Sequence, residues 1–582
     1  MAIAITPLGF KKPDGNESIR NGNDVISDNA QKSQELLQEA RANIANLLVA
    51  GGFSGDPLNL NDSAIAQAVE SGTEAVTAMD LRYTTLAGAD SVIAAKVADA
   101  GSASRVLLDV LFRRDVSVVS YGAGQGGADD TAAFQAAVNA AIALGVGVFI
   151  PALDYTVAGT VTLSAITRPL KITIQKGAVI TQTVDAPVFE AMGSFGAWTN
   201  LAANGTRGNR TFVVTSAAGY AVGDWIQVAS SNTAPGGGDK IGWLRRITGI
   251  SGTTFTIDAA LPRSVFTAQG AHIQKANFLP QIDLVGGGQI KHQNPSISFR
   301  PLVYTVLVRQ PKVGLELGPS GGPAWTPAHC LGGGSTDEYY AHDLTDDEPG
   351  GHFGYGINCG GSNRNMKFYG TAEKCRHAFT TNVGPNITNS NQYGEPEDIH
   401  VEMETRDCAN KALDTHRPGW GIVFVPNHSG GSGGGVQIRS DNTHVQGGKI
   451  SGANSVGVAV ASNITVRPSI VGTSITNTAG AGSPAILCDS PTMIASPMIY
   501  GFTGAGIRVT ATAPGCVINN PNIDGVSAGA LVGIDLQSND NHVIHGYIAN
   551  VGTGIKLATG TTGNQHSTAT FGPGVTTQVV GP

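Results

Sequence analysis

Three side chains in the second half of this 582-residue chain have the types and spacing that proton transfer needs. Asp414 and His416 stand two apart in Ala412-Leu-Asp-Thr-His, so on an extended strand both point the same way. His377 opens His377-Ala-Phe-Thr-Thr, and Gln437 and Arg439 take the matching places in Gly435-Val-Gln-Ile-Arg. An imidazole exchanges protons near neutral pH, a carboxylate orients it, and a guanidinium neutralises developing negative charge. A rival pair is Glu402 and Glu404, which alternate with Val401 and Met403 beside His400. Carboxylates at i and i+2 of a strand sit roughly 7 Å apart, inside the ~6.5–9.5 Å spacing of inverting glycosidases. Trp420, four residues past His416 in a Pro-Gly turn, either stacks on a sugar ring or packs the edge of the chain.

The segments around these residues repeat. Gly356-Ile-Asn-Cys-Gly, Gly457-Val-Ala-Val-Ala, Ala485-Ile-Leu-Cys-Asp, Gly506-Ile-Arg-Val-Thr, Gly533-Ile-Asp-Leu-Gln and Gly554-Ile-Lys-Leu-Ala share their form, and Val458 to Ile555 spans four steps of about 24 residues. That period with short strands and Gly/Asn turns predicts a β-solenoid, one coil per repeat, stacked about 4.8 Å apart. Positions two and four of each segment are apolar or small and are expected in the dry lumen, with Ala378 and Thr380 among them. Positions three and five then face outward, including Phe379, Thr381, Asp414, His416, Gln437 and Arg439. A polar outer column is equally compatible with a solvated face or a contact between subunits.

Composition agrees and excludes other classes. Glycine supplies 78 residues and charged side chains only 14%, which describes a turn-rich fold with a sparsely charged surface. A net charge of −8 without a basic run argues against a nucleic-acid partner. No apolar stretch is long enough for membrane insertion, and no basic region precedes the first apolar residues, so no signal peptide is expected. Six scattered cysteines without a Cys-x-x-Cys pair read as buried free thiols. Asp343, Asp346, Asp347 and Glu348 read as a solvated acidic loop rather than a calcium site, so neither metal nor cofactor is expected.

Four regions follow. Residues 1–114 read as an α-helical arm in which Ile26, Ala30, Ser33, Leu37, Ala40, Ile44 and Leu47 keep coiled-coil spacing, favouring a homotrimer. Residues 115–197 open the solenoid, with an Asp129-Asp130-Thr131 cap before a helix over 132–143 bearing Phe134, Val138 and Ile142 on one face. Residues 198–275 read as an inserted small β-barrel in which Trp225 packs, and 276–582 as the solenoid body.

The block "VSVVSYGAGQGGADDTAAFQAAVNAAIALGVGVFIPALDYTV" resembles the opening of the pectate-lyase superfamily as it occurs in phage tail spikes, although Gly-Gln-Gly-Gly stands where the usual turn carries an Asp. The resemblance implies a mainly β fold, a right-handed parallel β-helix whose first end the helix caps. The pairing of "CRHAFTTN" with "ALDTH" resembles a signature of phage tail β-helix proteins, which adds Arg376 to His377, Asp414 and His416. The opening "MAIAITPLGFKKPDGNESIRNGNDVISDNAQKSQELL" resembles minor tail proteins of siphoviruses of Gram-positive, particularly actinobacterial, hosts. Together these imply a virion tail protein, made in the host cytoplasm, whose arm docks to tail-tip or baseplate partners and whose solenoid meets a host cell-surface polysaccharide. Two functions stay open: a polysaccharide lyase or glycoside hydrolase, or a non-catalytic receptor-binding or structural tail protein. A secreted bacterial pectate-lyase-type enzyme fits the arm less well.

Overall fold

The computed structural model describes residues 115–581 apart from 234–239, 296–297, 337–353, 383–392, 417, 432 and 527–530, together with two short antiparallel strands, Ala4–Ile5 and Lys11–Lys12. The helical arm and the acidic loop around Asp343 therefore lie outside the described residues. From Asp115 the chain winds into a parallel β-helix of about 16 turns.

The repeat seen in the sequence is the lumen of this helix. Ile357, Phe379, Leu413, Val436, Val458, Ile486, Ile507, Ile534 and Ile555 pair in parallel register up one 14-stranded sheet, and each is fully buried. Two further ladders complete each coil. One stacks Ile470, Ile494, Ile518 and Val543, the other Ile475, Ile499, Ile523 and Ile548. Between these ladders the chain turns through a left-handed residue in successive coils: Gly472, Ser496, Asn520 and His545, at φ 66°, 49°, 50° and 56°. Such a turn needs Gly or Asn more readily than a branched residue, which accounts for the Gly/Asn punctuation.

The alternation breaks at position one. The N–H groups of Ala378 and Phe379 both donate to the Ala412 carbonyl, a local kink that leaves the register unchanged. A Cβ at Gly435 would meet Ile450, at Gly457 Ile475, and at Gly533 Ile548, all lumen residues of another ladder. Position one therefore points inward together with position two, and only Gly or Ala fits. This corrects the reading of His377-Ala-Phe-Thr-Thr by one residue. Ala378 takes position one, Phe379 fills the lumen between Phe368 and Phe424, and Thr380 and not Phe379 stands beside Asp414.

Helix Thr131–Leu144 covers the first coil with Phe134, Ala137, Val138 and Ala141 buried, and Phe134 meets Tyr155 edge-on at 5.3 Å. Asp129 caps it, accepting from the Thr131 N–H at 2.9 Å. Asp130 instead ties the preceding turn, accepting from Gly124 at 2.9 Å and Thr156 at 3.0 Å.

Six antiparallel strands between Ser194 and Asn277 form the inserted unit. Its outer strands meet at a Leu201–Val214 bridge, so the sheet curls shut around Trp243, Ile226, Val228, Phe255 and Ile273. The insertion is bolted to a corner of the solenoid where Leu331, Arg364, Glu397, Trp420 and Asp441 succeed one another as single bridges. Arg245, with no exposure, grips both Glu397 oxygens. Arg263 bonds Glu395 at 2.9 Å and also Asp441; Arg364 bonds Asp258 at 2.7 Å; the Trp243 indole donates to Glu395 at 3.0 Å.

All six cysteines are free and buried. Two sealed histidines make the coils acid-sensitive. His292 bonds Ser320 and His428 bonds Thr405 through Nδ1, both at 2.9 Å, while each Nε2 is buried without a hydrogen-bond partner. Burial pulls both imidazoles down from 6.5 to about 4. Between those values the unfolded chain binds the proton and the folded chain does not. Stability is therefore full above about pH 6.5 and falls as pH drops towards 4, by on the order of 3 kcal/mol for each ring. The melting temperature should fall steeply over this interval, and His428→Gln should flatten the fall.

Candidate active site

The outer wall of the 14-stranded sheet carries the cluster. Strand Leu413–Asp414 turns Leu413 into the lumen and Asp414 outward, where neighbouring side chains seal it completely. Arg439, one coil on, grips both its oxygens, with Nε to Oδ1 at 3.0 Å and Nη2 to Oδ2. The His416 Nε2 lies 3.1 Å from Oδ2 and the His377 Nε2 3.7 Å. The kink turns His377 outward one position earlier than the strict repeat allows, which brings it to Asp414 without a place in the apolar column.

Burial alone would raise the Asp414 carboxyl. The His416 hydrogen bond, the His377 interaction, and the bond and charge of Arg439 outweigh it and hold the group down at about 2. Asp414 thus stays ionised at any working pH. Burial lowers the imidazole of His377 against the pull of Asp414, and its Nδ1 is 2.5 Å from the Lys411 carbonyl, which fixes the proton on that nitrogen. His377 is only 2% exposed and stacks on Tyr355 at 5.5 Å, so it supports the site from beneath. His416 differs: its side chain is 37% exposed. With Nε2–H given to the carboxylate, Nδ1 carries the lone pair.

The other expected residues fall around this centre. Gln437 stands in register with Asp414, half-buried. Arg376 lies 5.9 Å over the Tyr355 ring, behind His377. Trp420 belongs to the corner ladder, and its ring meets Arg207 at 5.5 Å and Arg263 at 5.3 Å from the insertion. Glu402 and Glu404 lie on another ladder, open to solvent, with Glu404 bound by Arg406. They share no recess with His416. Two members escape the repeat pattern: Tyr355, and Lys411, whose ammonium burial lowers to about 8 while it bonds Ser455 at 3.0 Å. Both occupy the column of His377, which becomes visible only once the inward turn of position one is recognised.

The donor atoms of His377, Asp414 and His416 lie within 4.8 Å of one another, close enough to share a metal ion. Arg439 already neutralises both Asp414 oxygens, however, and a cation would have to displace it. An imidazole–carboxylate pair with an adjacent guanidinium is the chemistry these contacts favour.

A parallel β-helix with a docked antiparallel barrel and a histidine–aspartate pair on its wall thus defines the molecule structurally. Comparison with solved structures gives the same class of fold. The chain is similar to the tailspike Gp54 of Acinetobacter baumannii bacteriophage AP22, solved with an A. baumannii capsular saccharide, at 12% identity over 80% of this chain and 77% of that one, with a TM-score of 0.56. It also aligns with the tailspike gp49 of Pseudomonas phage LKA1, at 15% identity over 79% of each chain and a TM-score of 0.48. No family model matches the sequence, and no curated protein matches it. Among the described residues no helix is long and apolar enough to cross a membrane.

Proposed function

We propose that this chain is a phage tail protein that binds an acidic host cell-surface polysaccharide and cleaves it by β-elimination, with His416 as the base. The observation that carries the reading is the exposed His416 imidazole held 3.1 Å from a sealed, ionised Asp414. The saccharide-bound tailspike of phage AP22 supports the choice of ligand class through its shared fold.

The chemistry follows from what each group can do. Glycoside hydrolysis by paired carboxyls needs one of them protonated. Asp414, held down at about 2, cannot serve, and Glu402 and Glu404 lie elsewhere. Proton transfer falls to the imidazole, which suits abstraction next to a carboxylate on a uronic acid. His416 Nδ1 takes the proton from C5 and the electron pair forms the C4=C5 double bond. The C4–O bond breaks, and the departing oxygen collects a proton from water. Arg439, 28% exposed, faces the sugar carboxylate as charge develops. Asp414 holds the ring and balances the imidazolium, and Arg439, bonded to both its oxygens, positions Asp414.

In the same reading residues 1–114 attach the protein to the tail tip, three chains associate through the heptad segment, and the product is a virion component. The experiment is release of unsaturated ends from purified acidic envelope polysaccharide, followed by the absorbance of the new double bond. Wild type should release them, His416→Ala should release roughly a hundredfold less or lower, and a chelator should change neither. Equal release by both proteins would sink the assignment.

A further inference from the structure

A second surface, separate from His416, has the composition of a polyanion subsite. Where the inserted barrel meets the solenoid lies a cavity of about 1150 Å³. Four cations line it: Arg246 from the barrel, and Arg309, Lys312 and Lys367 from the solenoid. No carboxylate does, in a chain whose net charge is −8. Among the described residues none of these four forms a salt bridge; Asp283, in register with Lys312, accepts from Gln281 instead. All four are exposed.

The remaining walls suit sugar rings. Trp225, half-buried, meets Phe278 edge-on at 6.3 Å, and Tyr369 opposite is 36% exposed. Lys312, Gly334 and Lys367 follow one another in register, so the two lysines stand two rungs apart, roughly 9–10 Å, with a bare glycine between them. A Cβ at Gly334 would strike the Lys367 carbonyl, so the floor stays flat and open. The walls are rigid as well: Arg364, behind Trp225 at 5.6 Å, bonds Asp258 of the barrel and locks the two modules together.

We infer that this groove binds a carboxylate-bearing polysaccharide, its acidic groups on the cations and its ring faces on Trp225 and Tyr369. The inference rests on the glycan-binding reading above and extends it: the barrel insertion completes a subsite that the solenoid alone lacks, on the ladder through Lys312, Gly334 and Lys367 and not on the ladder that carries Asp414. Cations without a carboxylate partner attract the chain, and the aromatic walls offer faces for its sugar rings.

The test uses the full-length protein and oligosaccharides of alginate, polygalacturonate and hyaluronate, with their carboxyl-reduced forms and a polythymidylate as comparators. At least one acidic sugar should bind, its reduced form should not, and affinity should fall with salt. Lys312→Glu with Lys367→Glu, both solvent-facing, should weaken binding by roughly tenfold or more, about 1.4 kcal/mol, with the melting temperature retained. Trp225→Leu checks the aromatic wall, and Tyr369→Ala at the exposed rim repeats that check where loss of folding is not at issue. Binding that ignores the lysine changes, equal binding of reduced sugars, tighter binding of the polythymidylate, or no binding of any acidic sugar would each overturn the subsite. His416→Ala is the comparator for product release. Should it lose product release while the lysine variants keep full affinity, the groove falls and the active-site reading stands. The converse result separates them the other way.

Discussion

Replacing Asp414 with asparagine is expected to stop cleavage while leaving the coil recognisably folded. Asparagine keeps the volume but offers an N–H₂ where two cationic or N–H donors converge, so one of Arg439 and His416 must turn away. The imidazole loses both its orientation and the charge that balances it when protonated. Release of unsaturated ends should fall by about 10²–10⁴-fold, the usual worth of a positioned acid–base group. Stability changes too. Because the folded carboxyl sits at about 2 rather than 3.8, its contribution of about 2 kcal/mol is complete above pH 4 and is lost as pH falls towards 2. Asp414→Asn should thus melt lower than wild type at pH 7 and converge with it at pH 2. A variant that keeps full activity would remove Asp414 from the mechanism.

Arg245→Ala is expected to loosen the inserted barrel. Arg245 and Glu397 are both buried, and Glu397 is raised by desolvation despite its partner. Losing the guanidinium leaves the carboxylate between the barrel and the corner ladder with only Arg364, 3.9 Å away, as a counter-charge, at a cost of roughly 3 kcal/mol. The solenoid lumen is not involved, so its melting should shift little. The connections near Gly193 and Phe278 should instead become open to limited proteolysis, and oligosaccharide binding in the adjoining groove should weaken. Adding Glu397→Gln should restore part of the protection, since the stranded charge is then gone. Unchanged protease resistance in Arg245→Ala would show that the insertion is held by other contacts.

The legible and illegible parts of the sequence have physical causes. A lumen admits only apolar or small residues, and period-two strands write that demand directly into the chain, so the column from Ile357 to Ile555 could be read without coordinates. Asp414, His416, Gln437 and Arg439 followed because their register depends only on that column. The place of His377 is shifted by one from the repeat, since the kink leaves no mark beyond a Gly/Ala column whose inward direction the alternation rule does not supply. Tyr355 and Lys411 went unnoticed for the same reason. The burial of His377 and Asp414 was hidden because the covering groups come from neighbouring coils. The surroundings of Trp420 are not legible locally, because Arg207 and Arg263 lie more than 150 residues earlier in the inserted barrel. The groove at the barrel seam joins residues from two modules, and no local pattern announces it.

Cleavage of an acidic envelope polysaccharide in water enriched in heavy oxygen tests the elimination chemistry most directly. Fragments made by proton abstraction at His416 should carry unsaturated ends and no solvent oxygen, because the glycosidic oxygen leaves with its own sugar. Saturated fragments bearing the label, or an intact polymer after prolonged incubation, would contradict the account.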